Sequence, residues 1–282
     1  MLAENIRDQL SRATADAPVS TYIESTPPIS WRTISTAGWD LAGIADDDDS
    51  ATLRDLVEIG RTWGQTLVQL PLITSLMTKR HSPAAAEYDG ATTLGVPLRR
   101  LKAGSAYIPF GEMAGIGVAG SLGGTGTMAA EEPGVADDYA PSLSGVVGTT
   151  VTRLTGEARR ELAVVWAAEA AGRAQTVLKH AVEFVQEREQ FNKPVGSFQA
   201  VKHHLANAHI ASEMAETSAV WASLTPEESG RAVSQAFREA QKAMHSALQT
   251  FGGLGFTWEM GVHFSLRHVA TLRELALGVL DE

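Results

Sequence analysis

From residue 155 to the end, apolar side chains recur at steps of three and four through four successive segments, and few architectures can bury such a pattern. Leu162, Trp166, Ala170, Ala174, Val177, Ala181 and Phe184 form the first stripe, which is the spacing of one helix face. Phe198, Val201, Leu205, Ala208, Ser212, Ala215 and Ala219 form a second, in near-heptad spacing. Thr225-Pro226-Glu227-Glu228 reads as a capping box with Pro at the first helical position. It opens a third helix with Val233, Phe237, Ala240, Met244, Ala247 and Phe251 on one face, ended by Gly252 and Gly253. A fourth helix is expected from about Trp258 to Leu277. Long helices with short connections predict an antiparallel four-helix bundle over residues 154–282.

The preceding part has a different texture. Over 82–153, Gly, Thr, Ser and Val dominate, and "SAYIPF" and "GVVGTTVTRL" read as strands of a shortened β region. The run "GVAGSLGGTGT" (117–127) lacks the Lys-Ser/Thr ending of a phosphate-binding P-loop and reads as a hairpin or loop. Residues 1–81 read as a reduced N-terminal region, irregular over the first 50 residues, with one helix over about 50–78. Leu53, Val57, Gly60, Trp63, Leu67 and Leu70 mark its buried face, and Pro71 should bend or end it. The acidic run "ADDDDS" before it is read as a solvated turn whose Ser50 caps the helix, rather than as a calcium site. The fold class is therefore mainly α with a small β region.

Several functions are excluded or disfavoured. A formal net charge of −10 leaves no basic surplus for nucleic acid. With no cysteine there is no disulfide, thiolate or cysteine-type metal chemistry. The start, "MLAENIRDQLSR", lacks an apolar signal core, and no run reaches membrane-spanning length, so a cytoplasmic location without membrane contact is expected. His203 and His204 are neighbours on one helix and cannot both face one metal; His209 is out of phase with His204 by one residue. No nucleophile-elbow signature is present.

Two segments hold more than helix packing requires. The first is Arg188-Glu189-Gln190-Phe191-Asn192-Lys193-Pro194, leading to Ser197-Phe198-Gln199. Arg188 suits a helix C-terminus, and Asn192 suits a left-handed turn before Pro194; a helix stop needs no more. The second runs from Gln249 to Glu259 and sets Gly252, Gly253 and Gly255 within four residues, which exceeds one helix cap. Bare backbone in one loop and the planar donors of an Arg in the other would suit a diphosphate-bearing cofactor.

"REQFNKPVGSFQAVKHHLA" and "QTFGGLGFTWE" resemble the C-terminal bundle of the acyl-CoA dehydrogenase family over roughly residues 150–282. The resemblance implies FAD shared at a subunit interface, with Arg188, Phe191, Gln199, Gln249, Gly252 and Gly253 reaching a flavin held mainly by the neighbouring chain. Arg188 and Gln249 would contact its phosphate and adenosine portion, with Phe191 packed beside it. Asn192 stands where the family has Gly. The family's Thr-Glu-Pro…Gly-Ser-Asp cradle is missing, and the middle and N-terminal regions are short.

The family's catalytic Glu has two known places, which fall here at Leu162 and Ala276. Glu161 is adjacent but turned by about 100° around the helix, and Glu259 reads as a helix-start residue. No residue of this chain is thus expected to be the base. The pattern is similar to the shorter subunit of heterotetrameric α₂β₂ steroid-CoA dehydrogenases of actinobacterial sterol catabolism. It implies a longer homologous partner that supplies cradle and base, an acyl-CoA substrate and an electron-transfer acceptor. A self-sufficient homo-oligomeric dehydrogenase using Glu161 or Glu259, and a flavin-free structural subunit, are the other readings.

Overall fold

Alanine sets the spacing at the centre of the molecule. The computed structural model describes residues 2–15, 27–44, 51–99, 101, 105–114, 116–118, 143, 145–149 and 155–280. Among them α1 (Leu2–Thr14), α2 (Trp31–Thr36), α3 (Leu53–Gly64), α4 (Leu72–His81) and the single turn α5 (Pro83–Ala86) precede the β region. The bundle helices α6 (Gly156–Glu187), α7 (Gln199–Leu224), α8 (Ser229–Phe251) and α9 (Val262–Leu280) follow it. The 32-residue α6 is about 48 Å long, and every residue from Glu161 to Ala174 is buried because α3, α7, α8 and α9 all pack against it. Ala163, Ala167, Ala170, Ala171 and Ala174 present almost no side chain, so the neighbours come close.

The approach is closest between α3 and α6. A Cβ on Gly64 would lie 1.9 Å from the Glu169 carbonyl oxygen, and one on Gly172 would lie 1.9 Å from that of Arg61. Only glycine permits this backbone-on-backbone contact. Arg61 and Gln65 exploit it: Arg61 Nη1 donates to Gln175 Oε1 (3.2 Å), and Gln65 O accepts from Arg173 Nη1 (3.2 Å) and Thr176 Oγ1 (3.0 Å).

Four helix boundaries differ from the sequence reading. The expected helix over about 50–78 is two helices, α3 and α4, because Pro71 cannot donate within a helix and stands at the N-cap of α4. Leu67 and Leu70 are buried in the segment between them. Thr52, not Ser50, caps α3: its Oγ1 accepts from Asp55 N (3.3 Å), and Asp55 Oδ2 accepts from Thr52 N (2.9 Å). The first 50 residues hold α1, which buries Ile6 and Leu10, and α2, capped by Ser30. Thr225 forms no capping box, since its Oγ1 donates back to Trp221 O (2.7 Å) and so closes α7; a 3₁₀ turn over Pro226–Glu228 then leads into α8. The last helix begins at Val262 rather than Trp258, after a 3₁₀ turn over Gly252–Phe256 and a bend in which Gly261 has φ 63°.

The two strand-like runs pair with each other. In the β region β1 (Thr92–Leu94) is parallel to β3 (Ile116–Val118), and β2 (Ser105–Pro109) is antiparallel to β4 (Gly145–Thr149) with Ser105 opposite Thr149. A bridge between Val96 and Tyr107 links the two pairs. Ser75 on α4 anchors β1, its Oγ donating to Thr92 O (2.7 Å) and accepting from Thr92 N (2.9 Å). The acidic run 45–50 and most of the glycine-rich run 117–127 lie outside the described residues.

The basic end of α4 is sunk into carboxylates. Lys79 Nζ meets Asp40 Oδ2 at 2.5 Å with both side chains almost fully buried. Arg80 Nε meets Glu161 Oε2 at 2.7 Å, and Arg80 Nη1 donates to Gly43 O (2.9 Å) and Ala51 O (3.2 Å).

Candidate functional site

Between α6 and α7 the chain makes a tight hairpin, β5 (Glu189–Gln190) against β6 (Lys193–Pro194), with Phe191 and Asn192 as its two turn residues. Both have left-handed backbone, φ 55° and 59°. The expectation for Asn192 holds, and Phe191 adopts the same unfavourable region. Arg188 is the C-cap of α6: its N–H donates to Phe184 O (2.9 Å), and its carbonyl accepts from Val195 N (2.7 Å), closing the base of the hairpin.

The end of α8 comes to this hairpin. An open groove with room for about 640 Å³ is lined by Arg188, Gln190, His204, Gln249, Gly252 and Gly253, with Phe184 and Phe251 in contact beneath, ring centroids 5.1 Å apart. Two segments some sixty residues apart in sequence thus form one wall. Gly252 has φ 61°, which favours glycine; Gly253 does not. A Cβ at either would meet nothing within 4 Å, so it would project into open space. Packing does not forbid side chains there, but bare backbone leaves the turn open to a ligand. Gly255 differs, because a Cβ there would lie 2.6 Å from Leu248 Cδ1. Among the described residues, no carboxylate pairs with the exposed Arg188 guanidinium.

The remaining two predicted residues stand off this wall. Phe191 is 85% exposed at the hairpin tip and meets Phe198 edge-on, centroids 6.0 Å apart. Lys193 Nζ lies 4.2 Å from the centroid of the same Phe198 ring. Gln199 is exposed in the first turn of α7. His204, which lines the groove, is the polar residue that the site reading did not include.

The carboxylates sort clearly. Glu161 is buried and accepts from Arg80 Nε (2.7 Å), and His81 Nε2 lies 2.9 Å from the same oxygen. Burial alone would push the Glu161 carboxyl up, but hydrogen bonds from His81 and Arg80, with the Arg80 charge, bring it down to about 2. A carboxylate so held is a poor proton acceptor and serves to tie α4 to α6. Leu162 and Ala276 are both core residues. Glu259 is exposed in the bend before α9 and does not line the groove.

Glu161 gives a pH test. Its folded pKa of about 2 lies below the ordinary 4.5. Its stabilising contribution is therefore complete above 4.5 and fades as pH falls toward 2, a gap equivalent to about 3 kcal/mol. Glu161→Gln should lower stability at neutral pH and flatten the loss between pH 4.5 and 2, read by denaturant melts. An acid limb with unchanged slope would remove the carboxylate from this role.

Sequence reasoning also missed a buried pair. His268 Nε2 lies 3.0 Å from Glu169 Oε1, both nearly inaccessible, on the wall of a closed cavity between Trp63, Trp166 and Phe110. Its free room of about 10 Å³ admits at most one water. The available signal was phase, since Glu169 and Arg173 continue the Leu162–Trp166 face. Among the described residues, no group of three or more His, Cys, Asp or Glu could hold a metal, and no helix is long and apolar enough to cross a membrane.

Residues 160–278 match the family model of the acyl-CoA dehydrogenase C-terminal domain. This chain carries an acyl-CoA dehydrogenase C-terminal domain. The groove residues Arg188, His204, Gln249, Gly252 and Gly253 all lie inside it. The acyl-CoA dehydrogenase FadE34 of Mycobacterium tuberculosis (strain ATCC 25618 / H37Rv) is 38% identical over 150 residues, which is 48% of this chain but only 21% of FadE34. The acyl-CoA dehydrogenase IpdE2 of the same strain is 28% identical over 226 residues, 75% of this chain and 70% of IpdE2. The solved structure of the Tcur3481-Tcur3483 steroid ACAD G363A variant superposes with a TM-score of 0.74 at 16% identity, covering 99% of this chain and 96% of that one. At that identity the likeness shows the fold, and it extends the acyl-CoA dehydrogenase architecture over the reduced front of the chain as well as the bundle.

Proposed function

We propose that this chain is the completing subunit of an FAD-dependent acyl-CoA dehydrogenase. In this reading a longer homologous partner cradles most of the cofactor and supplies the catalytic Glu, and two copies of each chain form the assembly. The observation that carries the reading is the groove in which Arg188 and the Gln249–Gly253 turn meet. Its chemistry fits a dinucleotide: a planar cationic donor for phosphate, an amide side chain, and a turn without Cβ atoms. Bound FAD supplies the hydride acceptor for α,β-dehydrogenation of an acyl thioester. Arg188 would hold the diphosphate by charge, Gln249 would orient the adenosine end, and Gly252 and Gly253 would let that end lie against the backbone. Phe191 and Gln199, outside the groove, would touch the same cofactor from the hairpin tip and the start of α7.

The base comes from elsewhere in this reading. Leu162 and Ala276 carry no acid, Glu161 is committed to Arg80 and His81, and Glu259 is remote from the groove wall. A steroid-derived acyl-CoA is the proposed substrate, supported by the likeness to a steroid dehydrogenase assembled from two named chains. Reduced flavin would pass its electrons to an electron-transfer acceptor in the cytoplasm.

The test is co-expression with the longer dehydrogenase chain, reading mass and flavin absorbance. A colourless chain alone and a yellow mixed assembly with two flavins are expected. Arg188→Ala in that assembly should weaken FAD binding about 10- to 100-fold, the loss of one charge-assisted contact, without changing the melting temperature of the isolated chain. Yellow protein from this chain alone, or full flavin retention in the variant, would overturn the reading.

A further inference from the structure

The outer face of α7 carries a second surface that the cofactor groove does not use. Ile210, Met214, Trp221 and Leu224 are 57%, 42%, 50% and 59% exposed. They lie at steps of four, seven and three, and exposed His203, Asn207 and Thr217 complete the same register. Alternating steps of four and three over 203–224 are the seam of a two-helix coiled coil. The opposite face of α7, with Ala208, Ala211, Ser212, Ala215 and Ala219, is already buried against the bundle. The outer face therefore has no cover within the chain.

Charge and register choose the occupant. The first half of α7 carries Lys202, His203, His204 and His209; beyond the midpoint come Glu213 and, in the turn closing the helix, Glu227 and Glu228. Glu228 sits beside the seam, its Oε2 accepting from Trp221 Nε1 at 3.5 Å. A parallel copy would set like charge against like, whereas an antiparallel copy sets the basic end of one helix against the acidic turn of the other. Pairing about a two-fold axis level with Ser212 places Ile210 on Met214, Asn207 on Thr217 and His203 on Trp221 of the second copy. Every layer then joins the two alternating seam positions, as antiparallel seams require. Glu213 would lie near its own counterpart, and His209, 4.0 Å away on the same helix, offsets that repulsion. We propose that this face of α7 binds a second copy of the same chain, antiparallel, so that the two cofactor grooves lie at opposite ends of the helix pair. This inference stands on the seam alone and survives failure of the cofactor reading.

The chain has no cysteine, so introduced thiols report on it cleanly. Asn207→Cys combined with Thr217→Cys in the full chain should give a covalent dimer on mild oxidation. Neither single variant should, because equal positions then lie about 15 Å apart along the axis, beyond the reach of a disulfide. Met214→Glu should weaken self-association at least tenfold in sedimentation equilibrium while leaving the circular dichroism of the chain unchanged. The proposal is overturned if the unaltered chain stays monomeric at every concentration, if single-cysteine variants cross-link as well as the pair, or if Met214→Glu leaves association intact. Co-purified longer subunit cross-linked in place of a second copy would overturn it equally.

Discussion

A Gly172→Ala chain should unfold at a far lower temperature than the unaltered protein, or fail to accumulate as folded protein. The new Cβ would sit 1.9 Å from the Arg61 carbonyl oxygen, with the Arg61 carbonyl carbon at 2.8 Å. No rotamer change relieves a clash with backbone, so α3 must move off α6. That movement breaks the contacts the close approach permits: Arg173 and Thr176 on Gln65 O, and Arg61 on Gln175. Overpacking a core costs about 1–3 kcal/mol and more where nothing can yield, so a loss of at least about 3 kcal/mol is expected, well above the roughly 1 kcal/mol by which Ala outranks Gly in a helix. Gly64→Ala should do the same from the other side, 1.9 Å from Glu169 O. Gly230→Ala on α8 is the control: a Cβ there meets nothing within 4 Å, so the helix preference should act alone and stability should hold or rise. Equal melting temperatures for Gly172→Ala and Gly230→Ala would mean that α3 does not rest on α6 as closely as described.

The second large effect belongs to Asp40. Its carboxylate meets Lys79 Nζ with side-chain exposures of 2% and 1%, and its other oxygen, Oδ1, is buried with no hydrogen-bond partner. Asp40→Ala leaves the Lys79 ammonium without its counter-ion in the interior, which typically costs about 3–5 kcal/mol. Replacing both partners together, Asp40→Leu with Lys79→Met, removes the desolvated charge as well as the bond, so most of that loss should return. Denaturant melts of the three proteins decide it. A double variant no more stable than Asp40→Ala would show that shape, and not charge, holds α4 against the turn that contains Asp40.

How much of this was legible in sequence depended on distance along the chain. The bundle stripes were plain because Leu162, Trp166 and Val177, or Val233, Phe237 and Met244, repeat within single helices. Buried charges were not, because each finds its partner far away: Lys79 is 39 residues from Asp40, and His268 is 99 from Glu169. The in-phase Glu169 announces a buried acid but not what answers it. Helix α1 was read as irregular because charged residues separate Leu2, Ile6 and Leu10, although their four-residue steps mark a buried face. Boundaries failed where one group had two possible uses. The Thr225 hydroxyl could cap the next helix or close the last, and geometry gave it to Trp221. At the candidate site, residue types and order singled out Arg188 and the Gln249–Gly253 turn, and folding puts them in one groove. The same reasoning grouped Phe191 and Gln199 with them, yet the left-handed turn carries Phe191 outward and the start of α7 leaves Gln199 beside the groove.

The enclosure of α6 bears on how the middle of such a chain can vary in length. Helices α7 and α8 reach α6 through short connections, but α3 reaches it only across residues 65–155, so the β region acts partly as a tether between two surfaces that must meet. The entropy of closing a tether grows with the logarithm of its length, about 0.6 kcal/mol for each doubling. Shortening or lengthening that stretch thus changes the cost of docking α3 very little, while the Gly64–Gly172 contact, unchanged by tether length, continues to fix where α3 lands. An ancestor could trim its central region without loosening the bundle.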